Sequence, residues 1–113
     1  MSDSKSLRNQ LRIKSGVVTR LAKENDLYIK EAQENQRKLD HLLGEGSPED
    51  EWDVKNAKRL VEESNRMITD VRTRLEKAAD DLRDLVASTQ GEEGVGDSEE
   101  WAKADKALEI VAS

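Results

Sequence analysis

The residues that could support chemistry are few, and their surroundings do not favour it. Gly91, Gly94 and Gly96 have the spacing G-x-x-G-x-G, which superficially resembles a phosphate-binding loop. Such loops follow a strand and present backbone N–H groups at the start of a helix. Here the glycines follow a segment with a helical pattern, no lysine accompanies them, and Glu92 and Glu93 would repel phosphate. We therefore predict a linker rather than a nucleotide site.

Metal sites have equally weak support. His41 is the only histidine and cysteine is absent, so the usual nitrogen and sulfur ligands cannot assemble. The absence of cysteine also excludes disulfides and thiol catalysis. The acids that precede Trp52 lack the spacing of a calcium loop and suit the positive end of a helix instead. We predict no catalytic residue, no metal and no cofactor, and hence a protein that is not an enzyme.

Length and composition point to one helical domain. The chain has 113 residues, of which 39% are charged, 35% hydrophobic and 3% aromatic. Lys, Glu, Arg, Ala and Leu dominate, and these residues favour long helices. No apolar run approaches the length of a membrane span, and the N-terminus does not resemble a secretory signal. We expect a single domain over 1–113 and a soluble, cytoplasmic protein without membrane contact.

Charge is unevenly distributed. The net charge is −6, yet residues 1–23 contain six bases and one acid, a local charge of +5. The overall sign disfavours nucleic acid as a ligand, and no aromatic residue alternates with these bases. An acidic protein partner, attracted by the basic end, is one interpretation. The other is an ordinary solvated helix face.

Two breaks, at 44–48 and 90–97, separate three segments with a helical repeat. In the second segment, ten positions spaced alternately by three and four residues are apolar with one exception, Ser64, and this 3.5-residue repeat is typical of supercoiled helices. Ser47, Pro48 and Asp50 predict a capping box at its start. The fold expected is all-α: an elongated antiparallel three-helix bundle with coiled-coil-like packing and a shorter third helix. The predicted bounds are about 4–43 for helix 1, 44–48 for the turn, about 48–89 for helix 2, 90–97 for a flexible linker and about 98–112 for helix 3.

Packing expectations follow from these repeats. Ile13 and Val17 widen the apolar face of helix 1 where the third helix should lie. Trp52 should pack at the hairpin end on Leu39 or Leu42, and Trp101 should cover Val86. Three polar residues interrupt the seam between the long helices, and they either fix its register or mark a wetter stretch: Asn25, Asn35 and Ser64.

Three stretches resemble the tubulin-binding cofactor A family, also called tubulin-specific chaperone A. They are I-K-S-G-V-V-T-R-L-A-K-E over 13–24, Y-I-K-E-A over 28–32 and E-S-N-R-M-I-T-D-V-R-T-R-L-E-K-A-A-D-D-L over 63–82. Helix order, the short first turn and a last helix that opens E-E-W also fit. The resemblance spans roughly 10–111. One position departs from the pattern: Thr69 stands where family members often have proline, so helix 2 should be straighter there.

The resemblance implies a three-helix bundle that captures β-tubulin released from the cytosolic chaperonin and keeps it competent for heterodimer assembly, without a nucleotide. It implies a cytoplasmic, cytoskeleton-associated monomer or weak homodimer, with other tubulin-folding cofactors as further candidate partners. The alternative is a structural coiled-coil scaffold or adaptor. Residues of the matching stretches are the candidate partner contacts, with plain solvation as the alternative for each: Arg20, Lys23, Glu24, Tyr28, Glu31, Glu63, Arg66, Asp70 and Arg74.

Overall fold

The computed structural model describes residues 3–112, so Met1, Ser2 and Ser113 of the predicted domain lie outside the described residues. Three helices make up the described chain, and no strand occurs in it: α1 (Ser4–Gly44), α2 (Trp52–Thr89) and α3 (Glu99–Ala112). The third helix has 14 residues against 41 and 38 in the others. The predicted all-α, three-helix fold with a shorter third helix is confirmed.

The turn after α1 is closed by backbone hydrogen bonds that use a glycine. Gly46 has a φ of +83°, a left-handed conformation that costs glycine little. Its N–H donates to the carbonyl oxygen of Leu43 (3.1 Å), and the N–H of Ser47 donates to that of Leu42 (3.1 Å). This pair of bonds is a Schellman motif, which satisfies the last carbonyl groups of the helix.

Helix α2 starts four residues later than predicted. The N–H of Lys55 donates to the carbonyl oxygen of Glu51 (3.1 Å), which makes Glu51 the residue that caps the helix. The predicted capping box at Ser47 and Asp50 is therefore wrong. The physical reason is that the Ser47 N–H closes the end of α1, and residues 48–51 form a separate turn before α2.

Contacts divide the chain into two compact units. Unit 1 combines residues 3–23 and 73–112 of the described chain, and therefore contains the start of α1, the end of α2 and all of α3. Unit 2 is Glu24–Arg72, which contains only residues of α1, α2 and the turn between them. That the chain forms one domain stays a prediction.

Unit 1 is built around an apolar cluster contributed by all three helices. Leu11, Leu82 and Ala104 are fully buried in it. The indole Nε1 of Trp101 donates a hydrogen bond to the carbonyl oxygen of Val86 (3.0 Å), so the predicted position of Trp101 over Val86 is confirmed. The cluster fixes α3 against the two long helices.

The segment between α2 and α3 is packed, and the expectation of a flexible linker is wrong. Val95 is fully buried in the unit 1 cluster, and the guanidinium of Arg8 donates to the carbonyl oxygen of Gly94 (2.9 Å). Ser98 caps α3, because its hydroxyl oxygen accepts the N–H of Trp101 (3.1 Å). An apolar side chain in a polar segment and a serine cap therefore set the position of the third helix.

Two apolar residues are more exposed than predicted. Ile13 is 52% exposed, because α3 approaches α1 on the side of Arg12 and Ser15 instead. Trp52 is 72% exposed. It occupies the first position of α2, where the helix turns it away from the side on which Val54 is buried.

Unit 2 is held by a small apolar cluster and a polar link across the seam. Leu39, Val54 and Ala57 form the cluster. Further along, the amide Nδ2 of Asn35 donates to Ser64 Oγ (2.6 Å), and that hydroxyl donates to the carbonyl oxygen of Leu60 (2.9 Å). This chain of bonds supports the interpretation that polar seam residues fix the register.

A double-mutant cycle on this link should measure its strength. We expect Asn35→Ala and Ser64→Ala each to lower the free energy of unfolding. The coupling energy between the two substitutions should be about 1 kcal/mol, because each one removes a hydrogen-bond partner of the side chain that remains. Urea unfolding of the two single variants and the double variant gives the coupling. Additive losses would show that the two side chains act independently.

Candidate partner-binding surface

The described residues offer no site of enzymatic type. No group of three or more His, Cys, Asp or Glu residues among them is arranged to hold a metal ion. Within the G-x-x-G-x-G segment, Val95 is buried and the Gly94 carbonyl oxygen accepts a hydrogen bond from Arg8. Glu92 and Glu93 of the same segment are exposed. No helix in the described part of the chain is long and apolar enough to cross a bilayer.

One side of unit 2 carries a groove between α1 and α2. Its volume is about 470 Å³, and we call it the groove face. Apolar residues and neutral amides from both helices line it, with one charged side chain, Arg72. The lining residues are Ile29, Ala32, Gln33, Gln36, Val61, Asn65, Ile68, Thr69 and Arg72.

The opposite side of unit 2 has a different character. At 3.6 residues per turn, residues 24, 27 and 31 lie about 170° around α1 from the groove residues 29, 33 and 36. Residues 63, 67 and 70 lie about 160° around α2 from the groove residues 65, 69 and 72. We call these positions the reverse face: Glu24, Leu27, Glu31, Glu63, Met67 and Asp70.

The reverse face combines acids with uncovered apolar side chains. Leu27 is 58% exposed and Met67 is 40% exposed. Glu31 and Asp70 are exposed beside them, and Glu63 is half-buried and pairs with Arg59 (2.8 Å). An apolar pair framed by charges is a feature of protein-binding surfaces rather than of a catalytic site.

The structure separates the predicted contact residues into two groups. Three exposed bases belong to unit 1: Arg20, Lys23 and Arg74. The other six belong to unit 2, where four lie on the reverse face, Arg66 is exposed and Tyr28 is half-buried. None of the nine lines the groove face.

Sequence reasoning missed the groove. A signal for it existed, since positions 29, 33 and 36 and positions 65, 69 and 72 each continue one stripe beside the seam. Most residues of these stripes are neutral and polar, which makes them look like ordinary solvent-facing positions. Only the approach of the two helices shows that they line one depression.

The groove face is also distinct in charge. Unit 2 contains thirteen acids and eight bases, a net charge of −5, yet no acid lines the groove. Among the described residues, the guanidinium of Arg72 has no hydrogen-bond or ion-pair partner. An unpaired cation over an apolar floor favours a ligand that brings a carboxylate.

Comparison with known proteins identifies the family. A sequence model described as tubulin binding cofactor A matches residues 6–108. The chain belongs to this family. A tubulin-specific chaperone A from Gallus gallus is 37% identical over 102 residues, which cover 90% of each chain. The Homo sapiens protein of the same name is 34% identical over the same length and coverage.

Solved structures agree with this assignment. The chain superimposes on human tubulin chaperone cofactor A with a TM-score of 0.81 and 33% identity, covering 95% of this chain and 99% of that one. A tubulin folding cofactor A from Arabidopsis thaliana gives the same TM-score at 30% identity, covering 95% and 96%. Tubulin binding cofactor A is a chaperone family, and family membership confirms the prediction that the chain is not an enzyme.

The sequence predicts that helix 2 stays straight at Thr69. Helix α2 is unbroken through this residue, and the Thr69 hydroxyl donates to the carbonyl oxygen of Asn65 (3.1 Å). Threonine retains the backbone N–H that a proline would remove. The side chain also lines the groove face, so its identity affects that surface directly.

Proposed function

We propose that the chain binds β-tubulin after its release from the cytosolic chaperonin and holds it until heterodimer assembly. The observation that carries the proposal is the family match over residues 6–108, together with relatives named as tubulin-specific chaperones. The chain would act in the cytoplasm, in association with the cytoskeleton. Holding needs surface complementarity but no chemistry, which suits an exposed helical surface.

The surface of unit 2 supplies suitable contacts. An unpaired β-tubulin exposes apolar surface that its dimer normally buries, and Leu27 and Met67 present apolar side chains to such a partner. The predicted residues Glu24, Tyr28 and Glu31 on α1, and Glu63, Arg66 and Asp70 on α2, would give these contacts a polar surround. Arg20, Lys23 and Arg74, the exposed bases of unit 1 among the predicted residues, would attract an acidic partner.

Capture of purified β-tubulin tests the proposal. We expect the chain to form a stoichiometric complex with β-tubulin in sedimentation and co-purification experiments. The doubly charge-reversed variant Arg20→Glu/Lys23→Glu should bind more weakly, and Lys77→Glu/Lys106→Glu serves as a control that reverses two other exposed bases. A chain that ignores β-tubulin would overturn the proposal.

Salt should slow the capture. Residues 1–23 carry a charge of +5 and tubulin is acidic, so long-range attraction raises the association rate. Stopped-flow measurements from about 50 to about 300 mM salt should show a clear fall, because the screening length shortens over this range. An unchanged rate would exclude electrostatic steering.

A structural scaffold is the competing function, and sedimentation separates the two. We expect a monomer or weak homodimer that binds β-tubulin, with other tubulin-folding cofactors as later partners in the same process. A stable higher oligomer without tubulin binding would favour the scaffold.

A further inference from the structure

We infer that the groove face of unit 2 binds an amphipathic helix of the client and that Arg72 pairs with an acidic residue on that helix. The inference rests on the proposed tubulin-binding function and names a contact that the predicted residues do not include. Three features of the groove support it: its shape, the absence of acids from its lining and the unpaired guanidinium of Arg72.

The groove has the form that accepts a helix. Ala32, Val61 and Ile68 contribute its apolar part, and both walls are helices that run along its length. An amphipathic helix that lies in such a groove places residues at positions i, i+3 or i+4 and i+7 on the apolar floor. The amides of Gln33 and Asn65 can then bond to polar groups at the edge of the bound helix.

Unit 1 shows which kind of element packs on these two helices. There α3 packs on α1 and α2 with Ala104 fully buried, in a cluster with Leu11 and Leu82. Small residues let a third helix approach closely. Unit 2 contains the same two helices and no residue of α3, so an external helix has equivalent walls to pack on.

Charge selects an acidic occupant. Arg72 is the only charged residue that lines the groove, and no described residue pairs with it, although unit 2 contains thirteen acids. A carboxylate on a bound helix would form a bidentate, charge-assisted pair with the guanidinium. Once the amphipathic helix covers the groove, that pair is partly shielded from water and gains strength.

Variants of single groove residues test the inference with purified β-tubulin. We expect Arg72→Glu to raise the dissociation constant about tenfold or more, because it places a like charge against the client carboxylate. Arg72→Lys should lose less, since it retains the charge but not the bidentate geometry. Ile29→Ser should weaken binding by loss of apolar contact, while Lys77→Glu, an exposed reversal elsewhere on α2, should leave binding unchanged.

Photocrosslinking identifies the occupant directly. A photoreactive phenylalanine analogue at Gln33 should crosslink to a helical, acid-containing segment of β-tubulin, whereas the same group at Lys77 should not. Circular dichroism of each variant confirms that the fold is intact before binding is measured.

The outcomes separate this inference from the function on which it rests. If the wild-type chain binds β-tubulin but Arg72→Glu binds equally well and Gln33 gives no crosslink, the groove inference is wrong and the tubulin-binding proposal stands. Crosslinks between two copies of the chain would assign the groove to self-association and overturn it as well. If the wild-type chain does not bind β-tubulin, the proposed function itself fails.

Discussion

Replacing Leu11 with alanine is expected to lower the free energy of unfolding by about 2–5 kcal/mol. Leu11 is fully buried in the unit 1 cluster beside Leu82 and Ala104, so the substitution removes three carbon atoms from a packed core and leaves a cavity. At about 4–8 °C per kcal/mol for a domain near this size, Tm should fall by at least about 8 °C. Thermal and urea unfolding followed by circular dichroism measure both quantities.

Ile13→Ala is the matched control for this variant. Ile13 lies two residues further along the same helix, loses the same number of carbon atoms on substitution, and is 52% exposed. Its loss should be well under half that of Leu11→Ala, because less apolar area leaves water on folding at this position. Equal losses at the two positions would mean that α3 packs on the Ile13 side of α1, as the sequence pattern alone predicts.

The repeat in α2 shows what sequence alone can predict. Val54, Ala57, Val71 and Leu82 from its stripe are all buried, because a 3.5-residue spacing allows only one face of a long helix to meet its neighbour. The single polar member of the stripe, Ser64, is buried too and accepts the amide of Asn35. The spacing of apolar residues therefore predicts both that the segment is a helix and which side of it is buried.

The features that were predicted wrongly depend on contacts that spacing does not encode. Ser47 has the chemistry of a helix cap, but the Schellman motif at Gly46 uses its backbone N–H to end α1. The position of Ile13 depends on the side from which α3 approaches, which the packed segment at Val95 determines. A single apolar residue such as Val95, among glycines and acids, gives no periodic signal. The sequence pattern therefore predicts a flexible linker there.

The candidate surface was predictable to a smaller extent. The resemblance to a family gave stretches of sequence, and exposed charges within them became candidates such as Glu31 and Asp70. The groove around Arg72 has no matching stretch of sequence to mark it. It is a candidate site because no acid lines it and no ion-pair partner reaches the Arg72 guanidinium. Neither a missing ion-pair partner nor an acid-free lining can be recognised before both helices are placed.

Gly96→Ala is expected to destabilise the protein by about 3 kcal/mol or more, through backbone overlap. A Cβ at this position would overlap the carbonyl oxygen of Gln90 and lie 2.7 Å from its carbon, well inside the optimum of about 3.5–4.0 Å for carbon pairs. Neither atom belongs to a side chain that could rotate away. The segment must therefore shift, and with it the buried Val95 and the Ser98 cap that position α3.

Gly91→Ala provides the control, because a Cβ there meets nothing within 4 Å and the backbone needs no left-handed conformation. The free energy of unfolding should change by no more than about 1 kcal/mol, because alanine restricts the unfolded chain without straining the folded one. Thermal unfolding of both variants measures the difference, and amide hydrogen exchange should show faster opening of α3 only in Gly96→Ala. Two variants of equal stability would contradict the tight turn at 90–96, and with it the physical basis for the position of the third helix.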